Sequence, residues 1–334
     1  MTVTCFGELL LRLTPPGARL MVQTDALDLV VGGAEANVAA GLSSLGHTVR
    51  FAGLVADNPL GDRAVSSLRA AGVDTAFLAR GSGRMGLYFM ENGAGLRPSA
   101  ITYDRAGSAF AKAAAEAIDF AGALAGARLL HTGGITPALG ANGVSLARAA
   151  QDAALAAGVP ICFDGNYRAQ LWDAWDGDAR AILTELVKDA TIMIGNHRDI
   201  SLLLGRNFSG DGPDRRREAA EAAFAAFPRL ELIASTARHL VSADHHRIAA
   251  RVDSRARAHQ TDEIEVTGIV ERIGTGDAFA AGVLHAWLEG GNEAQMAADG
   301  LALAALKHSL QGDMCLASRA LLEGFSAQGG DVRR

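Results

Sequence analysis

Short runs rich in β-branched and aromatic residues alternate with longer alanine-rich stretches of helical period along most of the chain, and this alternation narrows the fold more than any other property. Such runs bury their apolar side chains by lining up as parallel strands, with the intervening helices packed against them. The expectation is an α/β protein of three layers, helices on both sides of a mainly parallel central sheet. The expected strands are Thr2 to Phe6, Val49 to Leu54, Arg128 to Thr132, Val159 to Asp164, Thr191 to Ile194 and Glu231 to Ser235. Between them lie helical patterns such as Ala34 to Leu45, stopped by Gly46, and Asn142 to Ala157, stopped by Gly158.

Two stretches break the rhythm. Leu9 to Val31 carries the turn Pro15-Pro16-Gly17, and Met85 to Tyr103 holds Leu87-Tyr88-Phe89-Met90 and Ala100-Ile101-Thr102-Tyr103 around a loop containing Asn92-Gly93. Both read as antiparallel strands, together forming one small sheet that covers the main domain. No repeat or low-complexity linker divides the 334 residues, so one domain over 1–326 is expected, with lid segments at about 9–31 and 85–105 and a disordered tail at 327–334.

Acidic residues outnumber basic ones, 37 to 31, which argues against a protein built to grip nucleic acid or anionic membrane. Apolar stretches are interrupted well before the roughly 20 residues of a membrane span. The N-terminal run to Leu13 is broken by Glu8 and Arg12 and lacks a basic leader. Cys5, Cys162 and Cys315 are odd in number and far apart, suggesting neither a disulfide framework nor a thiolate metal site. A cytoplasmic protein is expected.

Two motif matches are decoys. Gly81-Ser82-Gly83-Arg84-Met85-Gly86 fits G-x-G-x-x-G but leads into strand-like Leu87-Tyr88-Phe89 rather than a helix, so it is no dinucleotide loop. His197-Arg198-Asp199 imitates a protein-kinase catalytic loop, yet Leu204 stands where the metal-binding Asn belongs. The nine histidines show no compelling metal-ligand spacing; His245-His246, Arg215 to Arg217 and the Arg251 to Arg257 stretch read as exposed.

The segment with chemistry is Gly274-Thr275-Gly276-Asp277-Ala278-Phe279-Ala280-Ala281-Gly282, a glycine turn that opens an apolar helix. The first helical turn leaves amide N–H groups unpaired, and glycines let a phosphate approach them. Asp277 at that helix start is either a helix cap or a base beside a phosphoryl group; spacing alone leaves both open.

The sequence here resembles the ribokinase-like (PfkB-type) carbohydrate kinases, and within them the branch acting on 2-keto-3-deoxygluconate. The likeness spans nearly the whole chain and rests on five pieces in family order: Gly7-Glu8-Leu9-Leu10-Leu11-Arg12-Leu13, Gly32-Gly33-Ala34-Glu35-Ala36-Asn37-Val38-Ala39, Tyr103-Asp104-Arg105-Ala106-Gly107-Ser108-Ala109, Asp164-Gly165-Asn166-Tyr167-Arg168, and Gly274 to Phe279. The resemblance implies the ribokinase-like fold, ATP and Mg2+ as cofactors, Asp277 as catalytic base, and an anion hole at Gly274 built from the amides of Thr275, Gly276 and Asp277.

For the sugar, the resemblance implies contacts from Gly33, Asn37, Tyr88, Tyr103, Arg105, Arg168 and Asp313. Strand alternation puts Tyr103 and Arg105 on one face, where a guanidinium fork and a phenol suit a sugar acid; a surface pair between Arg105 and Asp104 is the alternative. Arg168 follows a buried-looking strand, and a loop ion pair with Asp164 or Asp173 competes with its implied place between sugar and phosphates. Tyr88 can equally be packing, and Asp313 a turn aspartate. Nucleotide contacts are implied for Asn166, Arg168, Asn196, Ser235, Thr236, Gly274 and Gly276. Asp199, in Asn196-His197-Arg198-Asp199 where the family usually has Asn-x-x-Glu, is expected to reach the metal through water.

The implied reaction is ATP-dependent phosphorylation of 2-keto-3-deoxygluconate at its terminal hydroxyl. The alternatives are a kinase for fructose or ketodeoxygalactonate, and a catalytically silent sugar-binding regulator. Sugar acid and ATP are the expected partners, without nucleic acid or membrane, in a homo-oligomer joined through the lid.

Overall fold

A computed structural model describes residues 2–326, so the expected tail at 327–334 lies outside the described residues. Its strands are β1 (Thr2–Phe6), β2 (Leu10–Thr14), β3 (Asp28–Gly32), β4 (Thr48–Ala56), β5 (Leu78–Gly81), β6 (Gly86–Glu91), β7 (Ala100–Asp104), β8 (Ala127–Gly133), β9 (Ile161–Asp164), β10 (Ile192–Ile194), β11 (Leu232–Ser242), β12 (His245–Ser254), β13 (Ala258–Gln260) and β14 (Ile264–Thr267). The α-helices are α1 (Ala34–Ser44), α2 (Pro59–Ala70), α3 (Phe120–Leu124), α4 (Ala141–Ala156), α5 (Ala169–Trp172), α6 (Ala179–Val187), α7 (His197–Leu204), α8 (Gly212–Ala226), α9 (Thr275–Leu288), α10 (Glu293–Lys307) and α11 (Arg319–Glu323).

The large sheet runs β13-β12-β11-β10-β9-β8-β1-β4-β5, with β14 paired to β12. Every pairing from β5 to β11 is parallel, while β12 joins β11, β13 and β14 antiparallel. Burial shows why the middle strands read as continuous apolar runs. On β10, Ile192 and Ile194 pack into one core while Met193 packs into the other, and β11 repeats this with Leu232, Ala234 and Ile233. Both faces are covered: α1 on one side and α3 with α4 on the other contact β8.

The strand order reverses direction at β1, which has β8 on one side and β4 on the other. Open α/β sheets bind ligands in the crevice beyond the carboxyl ends of strands at such a point. Glu8 follows β1 there, Gly134 follows β8, Asp164 ends β9 and Asn196 follows β10.

The lid is a four-stranded sheet of order β3-β2-β6-β7. Its hairpins β2–β3 and β6–β7 are antiparallel as expected, but the two segments meet through a parallel β2–β6 pair. The glycine decoy falls between strands, with Gly81 ending β5 and Gly86 starting β6. Two surface expectations are corrected. His246 is buried on β12 against the His308 ring, and Arg251 is buried in an ion pair with Asp253 at 2.6 Å. They lie on opposite faces of β12: His246 meets His308, just past α10, whereas Arg251 and Asp253 turn to the other side, where Arg217 of α8 reaches Asp253 at 3.2 Å.

Candidate active site

Helix α9 begins at a sharp turn. Gly274 takes φ +80°, and a Cβ there would lie 1.8 Å from the Asp313 carbonyl oxygen, so only glycine fits. Ala278 donates the first intrahelical bond to Gly274 O at 2.8 Å, and Thr275 N–H makes a long 3.4 Å bond to Arg272 O. The Gly276 and Asp277 amides precede that first bond and point out of the helix end. Thr275's amide is thus already engaged, leaving those of Gly276 and Asp277 without an intrahelical partner. Gly276 lines the larger cavity described below, and a Cβ on it would meet nothing within 4 Å.

The structure rules out the cap reading of Asp277. The cap is Gly274, and the Asp277 carboxylate instead accepts a 2.7 Å bond at Oδ2 from Asn37 Nδ2 on α1. Burial pushes the Asp277 carboxyl up to about 6, partly offset by the Asn37 hydrogen bond and by Arg168.

Asp277 stands where two cavities meet. One, of about 500 Å³, lies under the lid and is lined by Gly33, Asn37, Tyr88, Tyr103, Arg105 and Asp313. The other, of about 810 Å³, is lined by Asn196, Asp199, Ser235, Thr236, Thr275 and Gly276. Asn166, Tyr167, Arg168, Ile273 and Asp277 belong to both walls. Asn166 holds φ +38°, uncommon outside glycine but tolerated by asparagine, so the backbone bends sharply at the shared wall.

Polar groups under the lid are already organised. Tyr88 Oη donates a 2.5 Å bond to Asp313, and Arg12 bridges Asp313 at 3.2 Å and Glu271 at 2.6 Å. Asp313 titrates above the usual carboxylate range because of burial, which Arg12 opposes. Asn37 Oδ1 is buried without a partner, an acceptor free for a hydroxyl donor. Gly33 takes φ +147°, and a Cβ there would sit 2.3 Å from Glu8 O.

Arg105 lines the lid cavity but is not the surface partner of Asp104. It is buried, and its Nε and one terminal nitrogen bind Glu8 at 2.9 and 2.5 Å, while Ser108 Oγ donates to the other Glu8 oxygen at 2.7 Å. Asp104 pairs instead with Arg84 at 2.7 Å. One edge of the guanidinium fork is thus occupied from within. Arg168 is exposed, and no ion pair holds it among the described residues, so the alternative of a loop pair with Asp164 or Asp173 is absent there.

The larger cavity is basic where an anion would lie. Arg168, Arg198, Arg238 and Arg272 line it. Arg238 is lowered by burial and by the neighbouring charge of Arg272, whose Nε is buried without a partner. Asn196 caps α7 by accepting from Arg198 N at 2.8 Å, and Asp199 Oδ2 accepts the return bond from Asn196 N at 2.8 Å. That capping box spends one Asp199 oxygen. Behind it lie two acids that the sequence did not single out. Asp164 is pushed well above the carboxylate range by burial and then by Asp277, Glu35 and Asp199, and burial raises Glu35 to about 7.

Glu8, Arg12, Glu35 and Asp164 all lie within the motifs that carry the resemblance, yet their partners are distant in sequence. Arg12 meets Glu271 across 259 positions and Arg105 meets Glu8 across 97, so no local signal could have paired them.

This arrangement defines an α/β protein in which an arginine-lined cavity and a lid-covered cavity rich in polar side chains meet at one carboxylate near a helix start. Residues 2–316 match the model of the pfkB family carbohydrate kinases, and the chain belongs to that family. It is 36% identical to the 2-dehydro-3-deoxygluconokinase of Thermotoga maritima, covering 98% of this chain and 100% of that one with a TM-score of 0.93, and shares its ribokinase-like fold. It is 30% identical to a 2-dehydro-3-deoxygalactonokinase of Haloferax volcanii over 98% of this chain and 96% of the relative. A putative Ribokinase II of E. coli, crystallised in complex with ATP and Mg2+, shares the fold at 18% identity and a TM-score of 0.80 over 96% of this chain and 97% of that one.

Proposed function

We propose that this carbohydrate kinase transfers the γ-phosphate of ATP to the terminal hydroxyl of 2-keto-3-deoxygluconate, giving 2-keto-3-deoxy-6-phosphogluconate. The observation that carries the reading is the position of Asp277 on the wall common to both cavities, next to the free amides of α9. The sugar lies under the lid, with hydroxyls toward Asn37, Tyr88 and Asp313 and the shape of Gly33 allowing close approach. Its carboxylate meets Arg168, Tyr103 and the remaining edge of Arg105. The nucleotide lies in the larger cavity along Ser235, Thr236, Asn166 and Asn196, with its phosphates toward Arg168, Arg238, Arg272 and the Gly274–Gly276 turn.

In the reaction the terminal hydroxyl oxygen bonds to the γ-phosphorus as the bond to the bridging oxygen of ADP breaks. Asn37 holds Asp277 Oδ2, leaving Oδ1 to receive the hydroxyl proton. The α9 amides face the charge on the equatorial oxygens, and Arg168 spans donor and acceptor. Asp164 and Asp199, two half-buried carboxylates on the wall of the larger cavity whose mutual repulsion a hard cation would relieve, fit Mg2+, which when bound would neutralise polyphosphate charge.

A second reading, 2-keto-3-deoxygalactonate as substrate, is favoured by the Haloferax relative. The two epimers differ in one hydroxyl, which a site built to hydrogen-bond it can discriminate strongly. ADP release measured with ketodeoxygluconate, ketodeoxygalactonate and fructose decides between them. The proposal expects the highest kcat/KM for ketodeoxygluconate; preference for its epimer or for fructose would replace it, and no turnover with any would leave a silent sugar-binding protein.

A further inference from the structure

Away from the active site, three metal-ligating side chains meet where α1, α9 and the start of β4 converge. His47 follows Gly46 in the turn between α1 and β4, His285 lies on α9, and Glu289 caps α9 one turn further on. Residues four apart share a helix face, so His285 and Glu289 point the same way by construction. The ligand atoms of all three lie within 4.8 Å of one another. His47 Nε2 and His285 Nδ1 face each other at 2.8 Å. Both imidazoles are buried, Glu289 is at the surface, and a cavity of about 570 Å³ bounded by Ser44, Gly46, Ser318 and Arg319 opens beside them.

We propose that His47, His285 and Glu289 form a site for a divalent transition-metal ion of the zinc class, with an open fourth position toward the solvent cavity. Two imidazole nitrogens and a carboxylate oxygen are the donor set that such ions favour over Mg2+. Across a tetrahedral ion the two nitrogens stand about 3.3 Å apart, so the imidazoles need part by only about half an ångström from their present contact. Glu289 also pairs with Arg319 at 3.0 Å, and that pair must yield one oxygen to the ion.

The site has a structural consequence. Helices α1 and α9 carry Asn37 and Asp277 near their N-terminal ends, joined by a hydrogen bond. An ion at His47 and His285 ties the opposite ends of the same two segments, so it fixes the helix pair that positions the catalytic carboxylate without touching substrate.

The test is calorimetric titration of the metal-stripped full chain with ZnCl2 at pH 7.5, with thermal melts at each zinc concentration. The expected result is saturable binding of one ion per chain and a melting temperature that rises with zinc. Glu289→Gln, at the surface, should fold like the native chain yet bind roughly tenfold or more weakly, and His47→Gln should do the same. Equal affinity in the native chain and both variants, or no saturable binding in the native chain, would overturn the proposal.

Discussion

In the proposed mechanism Asp277 concentrates the chemistry in one side chain. Its carboxyl is raised to about 6 by burial, above its ordinary 3.8, so the folded chain holds the proton over a window where the unfolded chain has released it. That contribution to stability is present below pH 4 and is lost as pH rises through about 6. The catalytic consequence has the opposite sign, since only the ionised carboxylate accepts a proton. We expect kcat/KM to fall on the acid side with a midpoint near 6, measured with saturating Mg2+. Glu35, raised to about 7 by burial, titrates nearby; a Glu35→Gln variant that keeps the limb assigns it to Asp277. Arg168 and Arg105 separate recognition from folding. Arg168 is exposed and free of ion pairs among the described residues, so Arg168→Ala should leave the melting temperature unchanged while raising KM for the sugar acid more than for fructose. Arg105→Ala strands the buried Glu8, a loss of about 3–5 kcal/mol in unfolding free energy read by denaturant titration.

The glycines at the start of α9 look equivalent in sequence and are not equivalent in the fold. Gly274 has φ +80°, and its missing Cβ makes room for the Asp313 carbonyl, so Gly274→Ala should lower stability and activity together. Gly276 has open space where a Cβ would project. Gly276→Ala should therefore melt at the native temperature or slightly higher, because alanine favours a helix by up to ~1 kcal/mol, while its methyl obstructs the phosphate site and kcat falls. Melting curves and kcat on both variants check the contrast. The glycine turn, the strand ends and the lid hairpins were legible because each is written in residues adjacent in the chain. The cap at Gly274 instead of Asp277 was not, because it depends on whether Asn37, 240 positions away, claims the carboxylate. The same holds for Arg105, whose alternation was read correctly while its partner Glu8 lay on another strand end.

Taken as a whole, the chain places a deep sheet crevice beneath a small four-stranded cover, and that cover has two free edges, β3 and β7. Val22, between β2 and β3, is 90% exposed and Leu96, between β6 and β7, is 94% exposed. Free strand edges with apolar tips favour pairing with a second copy, and we propose a homo-oligomer joined through the lid. Sedimentation velocity should give more than one chain per particle, and Val22→Asp with Leu96→Asp should shift the population toward the monomer; a native monomer at all concentrations would exclude the lid interface. The α/β layering was readable throughout, since helical and strand periods differ along one dimension. The burial of His246 and Arg251 was not, since their covers, His308 beyond α10 on one face and Arg217 of α8 on the other, come from distant parts of the chain.

The claim on which the account depends is that phosphate transfer occurs at the start of α9 with Asp277 as proton acceptor. Turnover of ATP with ketodeoxygluconate by Asp277→Asn, alongside calorimetric binding of each ligand to the same variant, addresses it most directly. The account predicts a folded protein that binds both ligands within a few fold of the native affinities and loses kcat by about 10² or more. A folded variant with native kcat would contradict it.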